Sequence, residues 1–102
     1  MITAIPSYKK VAAPEKLMIT TLNENELYLT WNGSQDAVSY NVYKAIGNAP
    51  TYELAAKDIT NTNYQFTAKN VSTLGRCTFK VTAVSKSGRE SFGALAYLNN
   101  AQ

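Results

Sequence analysis

The stretch "CTFKVTAVS" (77–85) sets an apolar side chain at every second position, and this alternation constrains the chain more than any other feature. Successive side chains of an extended strand point to opposite faces, so Cys77, Phe79, Val81 and Ala83 share one face. "ELYLTWN" (26–32) repeats the pattern, with Leu27, Leu29 and Trp31 on one side and Glu26, Tyr28 and Thr30 on the other. "AVSYNVYKAI" (37–46) turns Val38, Tyr40 and Val42 inward and Tyr43 outward, and "YQFTA" (64–68) puts Tyr64 and Phe66 together. "KLMITTL" (16–22) is rich in β-branched residues, and "TYELAAK" (51–57) reads as a weaker edge strand. "ESFGALAYLN" (90–99) closes the set, its Gly93 marking a bulge or bend.

Turn chemistry separates these segments: "NEN", "GSQD", "GNAP", "DITNTN" and "KNVSTLGR". In "KSGR" (86–89), Gly88 is free to take the positive φ that a hairpin turn demands. Helix signals are poor. "AAPEKLM" holds a proline, and Leu54 to Lys57 is too short to nucleate a helix alone. Short strands with turns every ~8–12 residues predict a sandwich or a barrel.

Composition narrows the function. At 45% hydrophobic and 17% charged residues the 102-residue chain is globular, large enough for one core. No apolar run approaches the ~18 residues that span a bilayer, so membrane insertion is not expected. No basic, then apolar signal segment shows at the N-terminus. Pro6 and Pro14 bracket the first segment and push it toward extended backbone. Residues 1–13 read as a linker or extended tail, 14–99 as one domain and 100–102 as a C-terminal tail. The net charge of +3 comes from scattered basic residues, with Lys9-Lys10 the only adjacent pair, so nucleic acid is not an expected partner.

The chain has no histidine and a single cysteine. One cysteine excludes an internal disulfide and a multi-cysteine zinc site. Without histidine the usual general base, nucleophile activator and metal ligand are all missing. Cys77 lies in phase with Phe79 and Val81, which makes it a small apolar filler with a raised pKa and not a reactive thiol. No catalytic, cofactor-binding or metal-ligating residue is assigned, and no cofactor is expected.

The combined motifs resemble a fibronectin type III module over residues 14–99. That family carries a buried tryptophan late in its second strand, where "LYLTW" places Trp31. Its third strand reads Tyr-x-Val-Tyr, as in "YNVY" (40–43). Its sixth reads Tyr-x-Phe-x-Val-x-Ala-Val, then a turn with glycine and Glu-Ser. "CTFKVTAVSKSGRES" (77–91) agrees at every position but the first. The family tyrosine at that first position bonds back across the preceding corner. Cys77, Val71 and Thr73 here replace the family's Tyr, Leu and Pro, so the corner is expected to be rebuilt, with Leu74 or Leu54 filling the gap.

The resemblance implies an all-β, seven-stranded antiparallel immunoglobulin-like sandwich. The first, second and fifth strands form one sheet, and the third, fourth, sixth and seventh form the other. The expected core is Ile19, Leu27, Leu29, Trp31, Val38, Tyr40, Val42, Tyr64, Phe66, Cys77, Phe79, Val81 and Ala83.

The seven tyrosines are the remaining functional candidates. Tyr28, Tyr43 and Tyr52 fall on solvent faces, and Tyr8 and Tyr97 toward the ends. Tyrosine suits exposed strand faces and also interfaces that are apolar at one end and wet at the other. Tyr8, Tyr28, Tyr43 and Tyr52 are therefore the candidate interaction surface. Glu24 and Glu26 share a strand entry without a cleft, which argues for solvated charges and against glycosidase chemistry. "DITNTN" (58–63) is only a faint echo of a calcium loop. "GRE" (88–90) is not an integrin-binding tripeptide. The sequons Asn32-Gly33-Ser34 and Asn70-Val71-Ser72 matter only where secreted proteins are glycosylated.

By resemblance to bacterial members of the family, the expected role is a non-catalytic accessory module, a C-terminal spacer or packing domain of a larger secreted carbohydrate-active enzyme. Its partner would be a neighbouring domain of the same polypeptide, placed outside the cell, at its surface or in the periplasm. The alternative is a carbohydrate- or protein-binding module using exposed tyrosines. An enzyme in its own right is the third reading.

Overall fold

Alternation decides the strands, and the burial of one face of each decides how they stack. The computed structural model describes residues 11–99. In chain order the strands are β1 (Glu15–Asn23), β2 (Glu26–Asn32), β3 (Ala37–Ile46), β4 (Glu53–Ile59), β5 (Asn63–Thr67), β6 (Arg76–Ser85) and β7 (Ala94–Asn99). They form a three-stranded sheet in the order β1-β2-β5 and a four-stranded sheet in the order β4-β3-β6-β7, as the resemblance implied. All pairings are antiparallel.

The core lies between the two sheets. Leu27, Leu29, Val42, Cys77, Phe79, Val81 and Ala83 are wholly excluded from solvent. Each large aliphatic or aromatic side chain so buried contributes about 1.5–3 kcal/mol. Two aromatic pairs bridge the sheets edge to face. Trp31 of β2 meets Tyr40 of β3 at 5.6 Å, and Phe66 of β5 meets Phe79 of β6 at 5.2 Å. Such geometry sets the positive edge of one ring against the negative face of the other. Gly33 lets the Tyr40 hydroxyl approach: a Cβ there would lie 2.7 Å from that oxygen, which accepts the Ser34 N–H at 3.0 Å. Ile19 and Tyr64 are half-buried against this core.

Val38 corrects the expected core. It is 54% exposed, because the β3–β6 register shifts between Ala37 and Ser39. The bulge breaks the two-residue period, so Ser39 and Tyr40 are both buried and Val38 turns to solvent. Two valines join the core from segments without alternation. Val11 precedes β1 within what the sequence reading assigns to the tail, and it is 7% exposed. Val71 sits in a single 3-10 turn (Val71–Thr73) between β5 and β6 and is 1% exposed.

That turn is the rebuilt corner. Asn70 takes φ 52, and the Val71 N–H donates to the Glu24 carbonyl at 2.7 Å. The Ala68 N–H donates to the Asn25 carbonyl at 2.9 Å, and the Asn70 N–H to Asn25 Oδ1 at 3.0 Å. The corner is thereby stitched to the β1–β2 turn by two main-chain bonds and the Asn25 amide oxygen, where the family uses a tyrosine hydroxyl. Leu74 packs against the core beside it, whereas Leu54 is 48% exposed and fills nothing there.

Several strand limits differ from the sequence reading by a residue or more, and two shifts have a visible cause. β4 runs on to Ile59 because Asp58 adopts φ 58 and its N–H donates to Asn41 Oδ1 at 3.1 Å, so the strand bulges before it ends. β7 starts only at Ala94. Before it, Glu90 bridges Val84 and the Ser91 N–H donates to the Ala83 carbonyl at 2.8 Å, while Phe92 projects at 91% exposure.

Candidate functional site

The outward side chains of the four-stranded sheet mix leucines and tyrosines with cations. Register places Tyr43 of β3 opposite Leu54 of β4 and opposite Lys80 of β6, and Lys80 opposite Leu95 of β7. Leu54, Tyr43, Lys80 and Leu95 therefore form one row across all four strands. Leu54 and Leu95 are 48% and 61% exposed. Tyr52, just before β4, and Tyr97 of β7 extend the face along the strands, with Tyr97 opposite Thr78.

Lys80 occupies the middle of this face. Its Nζ stands 4.7 Å from the centroid of the Tyr43 ring and 4.7 Å from that of Tyr52. The negative ring faces hold the ammonium, an attraction of roughly 0.5–1 kcal/mol at exposed sites. Arg76, four residues back on the same strand, lies 4.9 Å over the Tyr97 ring. The face thus carries two cations, each seated on tyrosine.

Glu90 completes the arrangement. Its Oε2 accepts the Tyr43 hydroxyl at 2.5 Å and the Thr82 hydroxyl at 2.6 Å. Partial burial works to raise the pKa of Glu90, but hydrogen bonds from Thr82, Tyr43 and Asn41 and the charge of Lys80 outweigh it, and the carboxyl sits below its ordinary range. The same bond, followed by burial and the Glu90 charge, pushes the Tyr43 phenol upward. An open groove of about 320 Å³, lined by Val11, Arg89, Glu90, Ser91 and Phe92, adjoins this corner.

Of the four tyrosines singled out in the sequence, this face unites Tyr43 and Tyr52. Tyr28 is on the other sheet, opposite Thr20 and Gln65 among polar neighbours. Tyr8 lies outside the described residues. Sequence reasoning missed Lys80, Glu90, Leu54 and Leu95 as members of the site. The outward phase of Lys80 within "CTFKVTAVS" was available, but its tyrosine neighbours come from other strands.

Cys77 is fully buried and its thiol, 3.9 Å from the Gly75 carbonyl, has its pKa raised by desolvation. Glu26 is engaged by the Asn23 amide at 2.6 Å and by the Gln65 amide. Among the described residues no three histidine, cysteine or carboxylate side chains cluster as metal ligands, and no helix is long and apolar enough to cross a membrane.

Two antiparallel sheets stacked as a sandwich, with tyrosines, cations and leucines on one outer face, define a class of small β modules. Comparison with known proteins sharpens this. A Fn3-like protein from Clostridium thermocellum is 31% identical, with a TM-score of 0.71 over 89% of this chain and 94% of that one. The chain belongs to the fibronectin type III family. No family model matches it. An amylopullulanase of Thermoanaerobacterium saccharolyticum is 28% identical over 74 residues, which is 72% of this chain but only 6% of that protein. The β-1,2-glucanase of Parabacteroides distasonis shares the fold at 22% identity, with a TM-score of 0.69 over 94% of this chain and 13% of that one.

Proposed function

We propose that the chain is a non-catalytic accessory module of a larger secreted bacterial carbohydrate-active enzyme, acting as a packing or spacer domain beside the catalytic one. The supporting observation is the likeness to a small part of an amylopullulanase, 6% of its length. Location outside the cell goes with that reading. Exposed Leu54 and Leu95 on the four-stranded sheet support a packing role, and interfaces between domains of one chain bury about 600–1,500 Å².

The sugar-binding alternative draws less support. Stacking requires a bare aromatic face, and Lys80 stands over both Tyr43 and Tyr52.

Two experiments test the proposal. The reading frame around these 102 residues is expected to encode a glycoside hydrolase catalytic domain. Deleting the module from that enzyme is expected to lower the melting temperature of the catalytic domain by at least about 2 °C. Affinity electrophoresis of the module through starch or pullulan is the counter-test. Retardation abolished by Tyr43→Ala and Tyr52→Ala would replace the packing role with a binding one.

A further inference from the structure

Resting on the accessory-module reading, we infer that the outer face of the four-stranded sheet docks a neighbouring domain that presents a carboxylate to Lys80 within an apolar rim. Four observations converge on it.

The face carries exposed apolar side chains around its cations. Leu54 and Leu95 close the two ends of the transverse row, and Tyr52 and Tyr97, 37% and 62% exposed, continue it along the strands. The row crosses three strand spacings of about 4.8 Å, roughly 14 Å in all. Exposed leucines flanking a tyrosine and a lysine suit a contact that is apolar at its rim and charged at its centre.

Lys80 is held in place before any partner arrives. Its stem runs against Gly93, where a Cβ would lie 2.2 Å from Lys80 Cγ and 2.6 Å from Cδ. Its head is fixed between two rings. Ordering a free lysine on binding costs about 1.5–2 kcal/mol of rotamer entropy, and here much of that ordering exists already.

The charge asks for an acidic partner. Glu90 already accepts two hydroxyl bonds through Oε2, and Tyr43 and Thr82 hold it to the side of the row. Covering the face with an uncharged surface would strip water from the ammonium and leave it only the Tyr43 and Tyr52 rings and the Glu90 charge, which Glu90 already shares with two hydroxyl bonds. A carboxylate in the covering surface makes the pair and adds a charge-assisted hydrogen bond.

A second copy of this chain fits poorly. A two-fold contact centred on the row brings the two Lys80 ammonium groups toward each other, because such interfaces match a patch with itself.

Zero-length carbodiimide coupling of the full polypeptide tests this. The reagent joins an amine to a carboxylate only in direct contact. After digestion and mass spectrometry, Lys80 is expected to be amide-linked to an Asp or Glu of another domain. Lys80→Arg keeps the charge but lacks the primary amine, so that link should vanish. Leu95→Asn, which breaks the exposed apolar rim without adding a carboxylate beside Lys80, should cut its yield at least five-fold. Links confined to Glu90, links between two copies, no link at all, or a yield indifferent to Leu95→Asn would each overturn the inference. A reading frame without a second domain would overturn both this and the accessory-module reading. An enzyme stabilised by its module whose Lys80 stays unlinked would sink the docking face alone.

Discussion

Lys80 occupies the space that a side chain at position 93 would need. A Cβ built on Gly93 would lie 2.2 Å from Lys80 Cγ. The glycine expected to mark a bend is therefore required by a neighbour's stem. Gly93→Ala should drive Lys80 out of its rotamer and its ammonium off the Tyr43 and Tyr52 rings. The expected cost is about 1–2 kcal/mol, from overpacking and the lost ring contact. Urea unfolding should show that cost shrinking in a Lys80→Ala background, since the two residues then no longer compete.

The Tyr43–Glu90 bond should leave its mark on both pH limbs of stability. Glu90 titrates below the ordinary glutamate range in the folded chain, so its contribution is present above that range and is lost as pH falls through the lowered value. Tyr43 titrates above its ordinary value of 10.0, so its contribution is full below that pH and fades as pH rises through the raised value. Denaturation midpoints across pH should flatten in the acid limb for Glu90→Gln and in the alkaline limb for Tyr43→Phe.

Cys77 should resist alkylation while the chain is folded and react at once in denaturant, since it is fully buried and desolvation raises its pKa. Cys77→Tyr restores the family's residue, yet it should destabilise this chain by about 1–3 kcal/mol through overpacking, because Val71 and Leu74 already fill the corner. Calorimetric melting of the variant measures this directly.

Lys16 sits in β1 at φ 55, beside the register shift between Glu15 and Met18. A left-handed conformation costs a residue with a Cβ about 1–2 kcal/mol. Replacing Lys16 with glycine should relieve more strain than it adds in chain entropy, for a net gain of about 0.5 kcal/mol in chemical denaturation.

How far the fold could be read from residues alone is clearest in β2 and β6. There the inward positions Leu27, Leu29, Trp31, Cys77, Phe79, Val81 and Ala83 are all buried as expected, and of the outward positions only Thr82, under Glu90, is buried besides. Val38 fails because a bulge inserts one residue between its neighbours and their partners on β6, and nothing in "AVSYN" announces it. Val71 fails for a different reason. Its turn has no period, and its burial comes from being tied to Glu24 and Asn25 at a distant turn.

The candidate site divides along the same line. That Tyr43 and Lys80 point outward is local, a consequence of each strand's own pleat, and the residues alone determine it. That Lys80 stands on Tyr43 and Tyr52, with Leu54 and Leu95 closing the row and Glu90 bonded to Tyr43, is decided only by which strands pair and in what register. Alternation is a property of one extended backbone, whereas register belongs to pairs of strands and is settled by the burial of the whole sandwich.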